Sequence, residues 1–132
     1  MSEQDDILAA NAAYYEAFAS ADAEKMSRIW ADQDVTCVHP GWPALVGRPA
    51  ILQSYRNIFG NPNQERVEPH NAMAMVFGDE GRVICIELIG DAHALAATNW
   101  FRRVSEGLAR CSSVTLPAIQ PRPTSCQRID RA

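Results

Sequence analysis

Hydrophobic and polar positions change their period once along this chain, near residue 60. Before that point the apolar positions recur at helical spacing. In "DDILAANAAYYEAFASAD", Ile7, Asn11, Tyr14 or Tyr15, and Phe18 share one face, and the acidic first turn suits a helix dipole. "AEKMSRIWA" predicts a shorter second helix with Met26, Ile29 and Trp30 on one side and Asp22 as its N-cap. "VTCV" reads as a short strand. "GRPAILQSYRNIFG" predicts a third helix, with Pro49 in its first turn, Gly60 after its end, and Ile51, Tyr55, Ile58 and Phe59 as its apolar face.

After the turn-rich "NPNQ" the period drops towards two. "ERVEPHNAMAMVF", "GRVICIELIG" and "HALAATNWFRRV" read as three strands separated by "GDEG" and "GDA" turns. Helices first and a meander afterwards predict an α+β domain, with the helices on one face of a curved antiparallel sheet. The pattern stops at Gly107. "LARCSSVTLPAIQPRPTSCQRIDRA" has no sustained alternation, and prolines at 117, 121 and 123 forbid a central strand there. This segment therefore reads as a tail outside the sheet.

Charge sharpens that boundary. Residues 1–107 carry a balance of −7, whereas residues 108–132 carry +3, with three of the eight prolines and no aromatic residue. The whole chain of 132 residues, 47% apolar, is one domain's worth of globular sequence. A net charge of −4 without a Lys/Arg cluster argues against nucleic acid as a partner. No apolar run approaches the roughly 18 residues of a membrane span, and "MSEQDD" does not read as an export signal, so the expected location is the cytoplasm. Cys37, Cys85, Cys111 and Cys126 have no C-x-x-C or zinc spacing and are expected as reduced thiols.

The order of elements, together with "ADQDVTCVHP" followed by "GR" and then "ATNWFRR", resembles the SnoaL-like branch of the nuclear transport factor 2-like superfamily. That superfamily also holds ketosteroid isomerases, polyketide cyclases and the association domain of calcium/calmodulin-dependent kinase. The resemblance covers about residues 5–107. It implies a cystatin-like cone: three N-terminal helices on a curved sheet, an apolar pocket at the open end, and pairing into a homodimer through the sheet. Where such a family ends on a strand opening Gly-Trp-Arg and continuing Val-His, this chain has "GLARCSS". Written CTG GCG CGA TGT TCA TCA, the residues after that glycine read Trp-Arg-Asp-Val-His one base later. Residues 108–132 are thus expected to be an aberrant segment, either a divergent tail or the product of a shifted frame, with the last strand lost or altered.

The same resemblance implies a site. Ketosteroid isomerases carry a basic carboxylate in an Asp-Pro pair after the first strand, and here that position is His39. Their oxyanion-donating tyrosine falls on Tyr14, and their protonated acid partner falls near Asn99. Histidine titrates near 6.5, so His39 is able to act as a base at neutral pH, while an amide donates a hydrogen bond at any pH. The base has changed type and the acid has become an amide, so isomerase activity does not transfer by position alone.

Other residues are read from their own setting. Trp42 sits on a turn between Gly41 and Pro43, which suits a pocket lid or a dimer contact better than a deep core. Phe18, Trp30 and Tyr55 are aromatic candidates for the ligand wall, with core packing as the alternative. Glu87 interrupts the apolar run "VICIELIG", which is costly unless it faces a cavity, partners His39, or forms an ion pair with a cation such as Arg102. His70 and His93 read as solvated. No metal-ligand spacing, phosphate loop, dinucleotide motif or G-x-S-x-G elbow is present, so no cofactor is expected.

These features point to a protein that binds an apolar or aromatic small molecule. The chemistry expected is isomerase-, cyclase- or hydratase-type proton transfer beside a carbonyl, with His39 as base. The alternative is a non-catalytic module for dimerisation or ligand sensing. Neither nucleic acid nor membrane is an expected partner.

Overall fold

The computed structural model describes residues 2–105 and 108–116. Three helices come first: α1 (Glu3–Ala19), α2 (Ala23–Ile29) and, after the short strands β1 (Thr36–Val38) and β2 (Leu45–Val46), α3 (Arg48–Phe59). Four longer strands follow: β3 (Val67–Phe77), β4 (Glu80–Ile89), β5 (His93–Ser105) and β6 (Leu108–Thr115). Local chemistry sets the helix boundaries. Ser2 and Asp5 close a capping box on α1, and the Asp22 carboxylate accepts from the Lys25 backbone N–H at 3.0 Å to start α2.

The strands form one curved, mixed sheet in the order β2-β1-β6-β5-β4-β3. All neighbouring pairs are antiparallel except β1 and β6, which run parallel, so the expectation of a purely antiparallel sheet is corrected at that pair. The α+β cone with three helices is present as expected.

Residues 108–115 are not lost to the sheet. β6 pairs with β5 on one side (Asn99 opposite Val114) and with β1 on the other (Cys37 opposite Val114). The last strand is thus present in the sheet. The remainder of the expected tail, 117–132, lies outside the described residues, as does Cys126. The strand escaped its period because it carries a bulge: Trp100 pairs with Ser113 and Phe101 with Cys111, leaving Ser112 as the extra residue.

The core lies between the helices and the concave face of the sheet. Trp30, Tyr55, Phe101, Met26 and Ile51 are fully buried there, and each large apolar side chain so buried contributes about 2–3 kcal/mol. Along β4, Val83, Cys85, Glu87 and Ile89 face this core while Ile84 and Leu88 point outwards. Cys37, Cys85 and Cys111 are buried free thiols. Arg48, the arginine of the "GR" pair, donates to the carbonyls of Ser27 at 2.7 Å and Trp30 at 2.9 Å, tying the end of α2 to the start of α3. Among the described residues no helix is long and apolar enough to cross a membrane.

Candidate functional site

The open end of the cone holds a cavity of about 390 Å³, bounded by α1, the end of α3, the turn after β1, and the adjoining ends of β3 and β4. The residues in "HPGW" form one of its walls. The backbone N–H of Trp42 donates to the His39 carbonyl at 3.0 Å, with Pro40 and Gly41 between them. Gly41 has φ +80°, so this is the type II turn that Pro followed by Gly favours. The turn ends β1 abruptly and folds the Trp42 ring back to 4.9 Å from the His39 ring, edge to face. Trp42 remains 40% exposed, as befits a side chain at the cavity mouth.

His39 is buried and held from behind. Its Nε2 lies 2.9 Å from Ser54 Oγ, and Ser54 Oγ lies 2.6 Å from the Ile51 carbonyl. A serine hydroxyl has one hydrogen, and the carbonyl takes it, so Ser54 accepts from His39 Nε2–H. That assignment leaves the lone pair on Nδ1, which lies 3.8 Å from Cys37 Sγ, the same sulfur being 3.6 Å from Nε2. Burial pulls the pKa of the ring down to about 4, so His39 is neutral at physiological pH.

Tyr14 is held in a similar way. Its hydroxyl lies 2.6 Å from that of Tyr55, which is fully buried and does not line the cavity. One contact between two hydroxyls consumes one hydrogen and leaves one spare. Either hydroxyl can donate; where Tyr55 donates, Tyr14 keeps its own hydrogen for another acceptor. Burial raises the pKa of both phenols, so both are neutral donors.

A third chain of hydrogen bonds ends on Glu87. The Asn99 amide donates to Asn11 Oδ1 at 2.9 Å and to the Tyr15 hydroxyl at 3.0 Å, and Tyr15 donates to Glu87 Oε2 at 2.5 Å. Glu87 is 3% exposed, and burial raises its pKa, partly offset by the Tyr15 bond. It forms no ion pair among the described residues. Arg102, the cation expected to neutralise it, donates instead to the Gln33 and Asp34 carbonyls at 2.8 and 3.1 Å.

Of the residues expected at the site, His39, Tyr14, Phe18, Trp42 and Glu87 line the cavity. Asn99 does not. Both of its amide hydrogens are engaged in the layer behind Tyr15, so it does not pair with Tyr14 as a donor to a ligand. Tyr55 stands behind Tyr14 and His39, and Trp30 is wholly in the core. Tyr15 and a rim of amides (Asn57, Asn61, Asn63, Gln64) line the cavity although pattern reading passed over them. The doubled tyrosine was the only signal for Tyr15. Asn61, Asn63 and Gln64 sit in the segment read simply as a turn, and Asn57 lies in α3 outside the apolar face read for it. Among the described residues no group of His, Cys, Asp or Glu is placed to hold a metal ion.

With this geometry, the comparison with known proteins is decisive for the family. The family model of the SnoaL-like domain matches residues 7–109. The chain belongs to the SnoaL-like domain family. Its fold is the cystatin-like, nuclear transport factor 2-like fold, which supports small-molecule binding. A candidate dehydratase of the nuclear transport factor 2-like family from Streptomyces avermitilis is 29% identical, with TM-score 0.76 over 89% of this chain and 96% of that one. A candidate calcium/calmodulin-dependent protein kinase type II association domain from Thiobacillus denitrificans is 30% identical, with TM-score 0.73 over 85% and 94% of the two chains. A nuclear transport factor 2-like protein of unknown function from Pseudomonas putida shares the fold at TM-score 0.77 and 16% identity, covering 95% and 91% of the two chains. Among curated proteins none matches this SnoaL-like chain.

Proposed function

We propose that this SnoaL-like protein is an acid–base enzyme that moves a proton beside a carbonyl group on a small ring compound, as in isomerisation, cyclisation or dehydration. His39 Nδ1 takes the proton, and the Tyr14 hydroxyl donates to the carbonyl oxygen as negative charge develops on it. The observation that carries this reading is the pair of anchors. One cavity is lined by His39 and Tyr14, each hydrogen-bonded from behind by a residue that does not itself line the cavity, Ser54 and Tyr55. A ring with a pKa of about 4 has the basicity of a carboxylate, so the donor at the oxygen must acidify the substrate carbon. The candidate dehydratase among the similar structures fits chemistry of this class.

The test is exchange of the methyl hydrogens of acetophenone in heavy water, followed by proton NMR. The protein should accelerate exchange, His39→Ala should abolish the acceleration, and Tyr14→Phe should reduce it roughly hundredfold. Exchange that persists undiminished in His39→Ala would remove the histidine from the mechanism.

A second reading rests on a different surface. The outer face of the sheet exposes Met73 and Phe77 on β3, and Ile84 and Leu88 on β4. Apolar area of this kind on a continuous sheet suits pairing with a second copy of the chain. Such pairing is compatible with catalysis, and without catalysis it would make the protein a dimerisation or ligand-sensing module. The candidate kinase association domain among the similar structures accords with that alternative.

A further inference from the structure

Glu87 has no part in the proton transfer just described, and its setting is unusual. A carboxylate removed from water requires compensation by a counter-charge or by several hydrogen bonds. Glu87 is 97% buried, yet only Oε2 is satisfied, by Tyr15; Oε1 makes no hydrogen bond among the described residues. The donors behind it all run one way, from Asn99 to Tyr15 to Glu87, and the last O–H···O contact is 2.5 Å, the length of a bond to an ionised acceptor. The Tyr15 bond favours the charged carboxylate and works against burial, which raises the Glu87 pKa. Among the described residues no cation pairs with it.

Among the described residues none supplies one at the cavity. Neither lysine nor arginine lines it, and its ionisable members are neutral His39, neutral tyrosines, Glu87, and Glu65 at the rim. The nearest arginine in sequence to Glu65, Arg66, is paired with Glu68 at 2.9 Å. The remaining lining is aromatic or amide: Phe18, Trp42 and the two tyrosines present ring surface, which attracts cations, and the amides accept hydrogen bonds. An anionic ligand would meet two acids and no positive charge.

We propose that the cavity takes a cationic ligand, a small ring compound bearing a protonated amine, whose ammonium pairs with Glu87 Oε1. The inference rests on the cavity being the substrate site: the ammonium lies at Glu87 while the carbonyl faces Tyr14. It assigns Glu87 to recognition, and Tyr15 and Asn99 to positioning its carboxylate.

Three probes of one shape but different charge test this by calorimetry or ligand-observed NMR: phenethylamine, phenethyl alcohol and phenylacetate. At neutral pH phenethylamine should bind at least about tenfold more tightly than phenethyl alcohol, as for one charge-assisted contact. Phenylacetate should bind most weakly. Glu87→Gln should bring amine and alcohol to equal affinity without weakening the alcohol, and Glu87→Asp should restore part of the preference. If Glu87→Gln does not fold, the wild-type ranking still decides. Equal binding of amine and alcohol to the wild type overturns the cation while leaving the exchange chemistry of His39 and Tyr14 intact. Preferential amine binding without acetophenone exchange would spare the cation and remove the chemistry. Binding of none of the probes overturns the proposal.

Discussion

At His39, burial and the Ser54 bond have opposite consequences for a proton. Ser54 fixes the ring with Nε2 protonated, and burial opposes adding a second proton at Nδ1. The folded ring has a pKa of about 4 against its ordinary 6.5, so the unfolded chain binds the proton first as pH falls. Stability linked to His39 is therefore complete above pH 6.5 and is lost as pH drops towards 4, by about 3 kcal/mol in all. Glu87 works in the other direction, since its raised pKa favours the folded state at acid pH. Urea titrations of wild type and His39→Gln isolate the histidine. The variant should lose much less stability between neutral pH and pH 4 than the wild type, and parallel pH profiles would show that the ring is not held neutral. Trp42 was legible at the cavity mouth because an aromatic on a Pro-Gly turn is a local signal, whereas His39 and Tyr14 came from the positions that the family resemblance implies. The role of Tyr15 was not legible, because it depends on Asn99 and Glu87, which are 84 and 72 residues away.

The helices and the strands β1, β3, β4 and β5 followed their periods; β2 is two residues long and too short to signal, and β6 was hidden for a local cause. The bulge at Ser112 interrupts alternation in β6, so a real strand looked like coil. Its partner β1 is too short to signal a parallel pairing by composition. A second close fit lies at Gly81 in β4, where a Cβ would come 2.7 Å from Ile7 Cδ1 on α1 and 3.0 Å from the Met75 carbonyl on β3. Gly81→Ala should destabilise by about 1–3 kcal/mol in urea unfolding, because the helix must lift or the strands must part. Adding Ile7→Val, which shortens the obstructing side chain, should cost less in that background than in the wild type. Strict additivity of the two changes would place the strain elsewhere.

At the scale of the molecule, two faces of one sheet divide the work. The concave face builds the core and the cavity, and the convex face leaves Ile84, Leu88, Met73 and Phe77 in contact with solvent. Pairing of two copies through that face predicts a dimeric mass by light scattering. The double variant Ile84→Lys, Leu88→Lys should be monomeric and should still prefer phenethylamine, since neither residue lines the cavity. A wild-type protein that scatters as a monomer at all concentrations would leave the face without this partner.

By itself the sequence determined the helices, the long strands, the α+β class and the polar interruptions that mark a cavity, since spacing and turn chemistry act within a few residues. Only the tertiary structure decided which groups meet. It seated β6 between β1 and β5, moved Asn99 behind Tyr15, withdrew Arg102 from Glu87, and left a buried carboxylate facing the cavity without a cation among the described residues. Those outcomes depend on strand order and register, which bring distant residues together, and no local period encodes them.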